Sequence, residues 1–247
     1  MTTLVFPGQG SQFLGMSKDF YDNFEVAKST LNEIQDYVKM DLKNIIFENR
    51  DNLLNFTNYT QISIFTASVI IFRTLIKETK LDFSKIEFML GHSLGEYTAL
   101  ACSNKLSLEE CSLVLKKRGQ LMQLACEKQP SSIAALIGLD LERSLEACKG
   151  TKAQVANVNS EQQIVIGGEL ADLDIAIDNA KALGARRAIK LEVAGAFHTE
   201  VMRPAQEPME LEIQNVTISH PTSPIIANTT GLPTSEPEQI REELKQQ

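Results

Sequence analysis

The sequence has no tryptophan, three histidines and four cysteines, and aromatic residues make up only 6% of it. The cysteines, at positions 102, 111, 126 and 148, form no Cys-x-x-Cys pair and lie near no histidine cluster. That spacing argues against a zinc site or a redox dithiol and leaves reduced, mostly buried thiols as the expectation. Basic residues are also in deficit: 24 Lys and Arg against 32 Asp and Glu give a formal net charge of −8. A general nucleic-acid binder presents a basic surface, so that class is set aside, whereas a local basic pocket for a small anion is not. The N-terminal "MTTLVFPGQG" carries neither a basic segment followed by an apolar one nor an Arg/Ser-rich presequence. The most apolar stretch, "ISIFTASVIIFRTLI", is interrupted by Arg73 and reads as too short to cross a bilayer. No repeat or low-complexity tract is visible. The expectation is a soluble, cytoplasmic protein with neither a membrane nor a nucleic-acid partner.

What is present is enough for a large core: 247 residues, 43% of them hydrophobic, suit one large domain or a large domain with an insertion. "TTLVF" reads as a strand ended by Pro7 and followed by the turn "PGQGSQ". Residues 15–80 are helical in pattern. "KIEFML" reads as a second buried strand, followed by a Gly-Ser turn and a helix to about residue 103. Ser107 and Glu110 form a capping box that opens a helix to about residue 127. From 131 to 193 the pattern becomes strand, helix, strand, strand, helix, strand, the split βαββαβ order of ferredoxin-like folds. A loop and helix, a strand at "SPIIANTT" and a charged helical tail follow. The fold class expected is α/β: a large α/β-hydrolase-like subdomain (1–128 and 194–247) with an inserted ferredoxin-like one (129–193).

The stretch "GHSLGE" has Gly91 and Gly95 two positions on either side of Ser93, the G-x-S-x-G spacing of a nucleophile elbow. There a serine sits in a strained strand-to-helix turn, and small neighbours let backbone pass close by. An apolar strand before it and a helix after it strengthen a motif that is weak alone; the helix N-terminus would favour developing negative charge. A hydroxyl nucleophile needs a base. His92 adjoins Ser93 on the elbow, so the two side chains diverge, and His220 in "SHPTSP" reads as a surface turn. By elimination His198, in the small-residue loop "GAFHTE", is the candidate base.

In order along the chain, "FPGQGSQ", "GHSLGEYTAL", "KKRGQLMQ", "VANVNSEQQIVIGG" and "GAFHTEVM" resemble the signature segments of malonyl-CoA:acyl-carrier-protein transacylases and related acyltransferase domains. The resemblance implies a ping-pong transfer: Ser93 attacks the thioester of malonyl-CoA, His198 takes its proton, and the phosphopantetheine thiol of an acyl carrier protein then collects the malonyl group. It implies an oxyanion hole from the main-chain N–H groups of Gln9 and Leu94. Arg118, which alone would read as part of a solvated Lys-Lys-Arg face, becomes the partner of the malonyl carboxylate. Met122 and Phe197 are implied on the acyl pocket, Phe197 and Leu94 matching malonyl-selective rather than methylmalonyl-selective relatives. His92 is placed with the substrate-binding residues, and Asn157 and Asn159 near the CoA or pantetheine arm. No metal or bound cofactor is implied, and a monomer is expected.

Two departures accompany the resemblance. "LACEKQPSSIAALIG" stands where relatives carry a Gly-rich, Met-containing run. The family pattern also continues several dozen residues beyond "IREELKQQ", through a P-V-x-W segment, so the chain reads as shortened at its C-terminal end. Two other readings use the same motifs. One is a serine acyl-hydrolase such as a thioesterase, which an Arg on the acyl pocket disfavours. The other is an inactive homologue that binds carrier protein.

Overall fold

The structure, a computed structural model, describes residues 2–79, 82–220 and 223–247. It divides into two compact units, Met1–Gln120 with Met209–Gln247, and Leu121–Pro208. The second unit is wider at both ends than the 129–193 segment expected from the pattern, taking in the end of one helix and a loop with the start of another.

The chain opens with β1 (Thr2–Phe6), then α1 (Lys18–Asn23), α2 (Glu25–Val38), α3 (Leu42–Phe47) and α4 (Thr57–Glu78). β2 (Ile86–Gly91) leads directly into α5 (Leu94–Cys102), and α6 (Leu108–Lys128) follows. The capping box of α6 is formed: the Glu110 N–H donates to Ser107 Oγ at 3.1 Å, and Ser107 Oγ donates to Glu110 at 2.7 Å.

α4 has 22 residues, about 33 Å at the helical rise, so the expectation that it is too short to span a bilayer is corrected. By length and composition it would pass, but 67% of its most apolar window is buried inside the protein, as in a core helix. Three of its threonines are satisfied by nearby carbonyls. Thr66 and Thr74 donate to the carbonyls of Ile62 and Ile70 at 2.7 Å, and Thr60 to Leu54 at 2.6 Å.

The second unit carries β3 (Ser131–Ile137), α7 (Leu141–Cys148), β4 (Gln154–Ser160), β5 (Gln163–Glu169), α8 (Leu170–Ala182) and β6 (Arg187–Lys190). Its sheet is antiparallel in the order β4-β5-β3-β6, the ferredoxin-like arrangement. Its buried core combines Leu136 and Ile166 with Ala147 of α7 and Ala176 and Ala180 of α8, small residues that let helices lie close on the strands.

The chain continues through α9 (Arg203–Gln214), β7 (Ile225–Ile226), β8 (Pro233–Thr234) and α10 (Pro237–Gln246). In the first unit the sheet runs β1-β2-β7-β8, with β1, β2 and β7 parallel and β8 antiparallel to β7. The charged tail is anchored: Ile240 and Leu244 are buried, and Arg241 donates to the carbonyls of Ile213 and Gln214 at the end of α9 and of Val216 just beyond it. The four cysteines are free and buried. His220 is exposed, and the turn expected after it falls on residues 221–222, outside the described residues.

Candidate active site

Ser93 stands between β2 and α5 with φ 52° and ψ −109°, a conformation that L residues adopt only where the surroundings impose it. The two flanking glycines permit the close backbone packing that goes with it. A Cβ on Gly91 would lie 2.0 Å from the Gly95 carbonyl carbon, and one on Gly95 would lie 2.4 Å from the Phe6 oxygen. The elbow thus folds back on itself and against the end of β1. Gly8 is equally confined, since a Cβ there would meet His92 at 2.5 Å. The "PGQG" turn therefore runs alongside the elbow.

Asn228, just past β7, ties the turn together. Its Nδ2 donates to the Gly91 carbonyl at 2.7 Å, and its Oδ1 accepts from the Ser93 N–H at 2.8 Å. One side-chain amide thus closes the strand end onto the nucleophile position. Leu94 is the first residue of α5, where a main-chain N–H has no acceptor within the helix. The Gln9 side chain donates to Thr57 Oγ1 at 3.3 Å, which fixes the turn bearing its main-chain N–H. His92 is exposed.

Arg118 is only 6% exposed, so its helix does not present it to solvent as the lysine-rich context alone suggests. Its Nη1 donates to Gln61 Oε1 at 2.9 Å; its Nη2 donates to Ser93 Oγ at 3.0 Å and to Gln247 Oε1 at 3.2 Å. The guanidinium also lies over the Tyr97 ring, 5.7 Å from its centroid. The next residue explains the reach: a Cβ on Gly119 would come within 2.9 Å of the Thr57 oxygen and the Asn58 Cα, so α6 and α4 touch backbone to backbone there. Burial draws the Arg118 pKa below its usual value, with Tyr97 and Glu96 opposing. Burial pushes the Tyr97 hydroxyl up to about 12.

Beneath the elbow lies a carboxyl that the sequence reading missed. Glu96 is 1% exposed; burial and then neighbouring Glu243 raise its pKa to about 8, against the pull of the Asn228 N–H, Gln247 and Arg118. Gln247 Nε2 donates to Glu96 Oε2 at 2.6 Å and to the Ser93 carbonyl at 3.2 Å. Glu243 is held by the N–H and hydroxyl of Thr229. Gln61, Glu96, Asn228 and Gln247 are the residues sequence reasoning did not single out. Gln61 had a signal, an amide at the start of the apolar stretch of α4. Gln247 had none.

The other expected site residues belong to the second unit. His198 has φ 59° and is half-buried in a braced loop: the Ala196 N–H donates to Ser131 Oγ at 3.0 Å, and Thr199 Oγ1 donates to the Ala196 carbonyl at 2.7 Å. A Cβ on Gly195 would meet Cys126 Sγ at 2.5 Å, and one on Gly167 would meet Thr199 at 3.0 Å. The glycines of "IVIGG" and "GAFH" thus leave room for this loop. Phe197 is buried against Met122 and Cys126. Asn157, half-buried, and Asn159, exposed, lie on edge strand β4, whose register slips on both sides of 157–158. Among the described residues no group of three His, Cys, Asp or Glu could hold a metal ion.

Residues 3–247 match the family model described as an acyl transferase domain. The chain belongs to the acyl transferase family. It is 35% identical to malonyl CoA-acyl carrier protein transacylase of Bacillus subtilis (strain 168), over 98% of this chain and 77% of that protein. It is also 35% identical to the enzyme of that name from Haemophilus influenzae, over 99% and 79%. Among solved structures, an acyl-carrier-protein S-malonyltransferase from Bartonella henselae superposes with a TM-score of 0.92 at 36% identity, over 100% of this chain and 80% of that one. A malonyl-transacylase in complex with its type II polyketide synthase acyl-carrier protein gives 0.92 at 33%, over 99% and 79%. In this acyl transferase domain, then, the expected fold is present and the strained serine is paired with a buried arginine.

Proposed function

We propose that the chain transfers a malonyl group from malonyl-CoA to the phosphopantetheine thiol of an acyl carrier protein, in fatty-acid or polyketide synthesis. The observation that carries the reading is the 3.0 Å contact between Arg118 Nη2 and Ser93 Oγ on a strained elbow. A buried cation beside a hydroxyl nucleophile suits an acyl group that ends in a carboxylate, and it disfavours a plain fatty acyl chain. The names of the relatives support the same substrate pair.

In this mechanism Ser93 Oγ attacks the thioester carbon while His198 takes its proton, and the Leu94 and Gln9 N–H groups hold the developing oxyanion. CoA leaves as the thiol with that proton, and a malonyl-serine ester remains. The carrier thiol repeats the sequence in reverse. Arg118 holds the malonyl carboxylate in both halves, Phe197 and Met122 shape the pocket, and His92, Asn157 and Asn159 serve the CoA or pantetheine arm. The acyl group arrives already activated on CoA, so the chemistry asks for no metal or resident cofactor. We further read the protein as a cytoplasmic monomer; its acidic charge and the burial of α4 support a soluble enzyme.

Mass spectrometry after incubation with malonyl-CoA tests the proposal. A malonyl adduct on Ser93 that disappears on adding carrier protein is expected, and Ser93→Ala should not label. An adduct elsewhere overturns the assignment. An adduct lost to water rather than to the carrier would make the protein a hydrolase.

A further inference from the structure

The group that surrounds Arg118 is unusual in its charge. A buried guanidinium normally acquires a carboxylate partner, because an unpaired buried charge is costly. Here, among the described residues, it donates to the neutral amides Gln61 and Gln247 and the hydroxyl of Ser93, with the Tyr97 hydroxyl as a further neutral partner. Glu96, a carboxyl beside this network, is reached through Gln247. Gln247 presents its oxygen to Arg118 and its nitrogen to Glu96, and so stands between the two charges that would otherwise neutralise each other. The same nitrogen reaches the Ser93 carbonyl, which ties the bridge to the elbow backbone. The Asn228 N–H and Glu243 complete the surroundings of Glu96.

We propose that Gln247 is a positioning residue for Arg118: its side-chain amide orients the guanidinium toward the acyl pocket while keeping Glu96 from pairing with it, so that the cation stays uncompensated until a substrate carboxylate arrives. This rests on the malonyl reading of the site and extends it to the end of α10. A neutral amide accepts a hydrogen bond without cancelling charge, and a carboxylate at the same place cannot. Burial and Glu243 act in the same direction, since a protonated Glu96 adds no negative charge beside Arg118. The site then discriminates by electrostatics: a dicarboxylate half-thioester gains a charge-assisted bidentate contact, and a neutral acyl group gains none.

The experiment uses the full chain with Gln247→Glu, which keeps shape and adds charge, and Gln247→Leu, which removes the amide. Two readouts are taken: free malonate binding by calorimetry, and kinetics with malonyl-CoA and acetyl-CoA. Gln247→Glu should weaken malonate binding and raise the malonyl-CoA KM by at least about tenfold, the factor that corresponds to about 1.4 kcal/mol. The acetyl-CoA KM should move much less. Gln247→Leu should show the same preference with a smaller change. Gln61→Glu, which brings a carboxylate to the other side of the guanidinium, should mimic Gln247→Glu and guards against a local folding defect. Malonate binding and malonyl-over-acetyl preference equal to the unmodified chain in both Glu variants would overturn the inference, as would no malonate binding by the unmodified chain. Malonate binding that responds to these substitutions without any Ser93 labelling would leave the inference standing and sink the transfer reading instead.

Discussion

The proposed function assigns charge selection to Arg118 and volume selection to Phe197, and each assignment gives a separable outcome. Arg118→Ala removes the cation that donates to Ser93 Oγ and that the proposal pairs with the malonyl carboxylate. It should lower malonyl transfer by about 10²-fold or more, because an unpaired desolvated charge costs several kcal/mol, and should spare acetyl transfer. Equal losses on both substrates in a steady-state assay would make Arg118 structural. Phe197 packs on Met122 and Cys126. Methylmalonyl-CoA should be a poor substrate, and Phe197→Ser should improve its kcat/KM relative to malonyl-CoA by opening room for the α-methyl group. An unchanged ratio would remove Phe197 from the pocket. Glu96 yields a stability signature. Its folded-state pKa, raised to about 8 from an ordinary 4.5, means the folded protein binds more protons than the unfolded chain between those values. Stability should therefore fall as pH rises from about 4.5 to about 8 through this group. Glu96→Gln should flatten that part of a denaturation-midpoint profile, and an unaltered slope would show that the carboxyl is ionised throughout.

At the scale of elements, the site depends on how closely backbones approach. β2 and α5 meet through Gly91 and Gly95, and α6 meets α4 through Gly119, each with less space than a methyl group requires. Gly119→Ala should push α6 from α4 and withdraw Arg118 from Gln61, so malonyl selectivity should fall at a cost in stability of about 1–3 kcal/mol, the usual penalty for overpacking. Chemical denaturation and the malonyl-to-acetyl ratio check both parts. Unchanged selectivity would mean that the helices move without carrying Arg118. The elbow itself was legible from spacing, because only glycine tolerates those contacts. Its brace was not: Asn228 lies 135 positions from Ser93, and nothing local marks an asparagine after a short strand as the clamp of a distant turn.

Among the buried polar groups of the first unit that lack a hydrogen-bond partner, one is a lysine with no counterpart in the proposed chemistry. Lys105 is fully buried, its Nζ has no hydrogen-bond partner among the described residues, and burial lowers its pKa to about 8 despite the pull of Glu236. The folded state therefore binds fewer protons than the unfolded chain between about 8 and 10.5, and stability should rise with pH across that window. Lys105→Met should stabilise the protein at neutral pH and abolish the rise, as followed by thermal unfolding. A destabilised variant would show that the amine has found a partner.

Local pattern by itself determined the order of elements, the ferredoxin-like insertion and the elbow at Ser93. Those are decided by short-range physics: period-two and period-3.6 burial, capping at Ser107, and glycines where no Cβ fits. The length of α4 escaped that reading because threonines along it hide their hydroxyls in backbone hydrogen bonds one turn back. Tertiary structure alone decided the electrostatics. That Arg118 is buried rather than solvated, that its partners are two amides 57 and 129 positions away, and that Glu96 is an acid raised toward neutrality all depend on helices α4, α6 and α10 meeting at one point. Charge in water is set by residue type; charge in a protein interior is set by what the fold brings within a few ångströms of it.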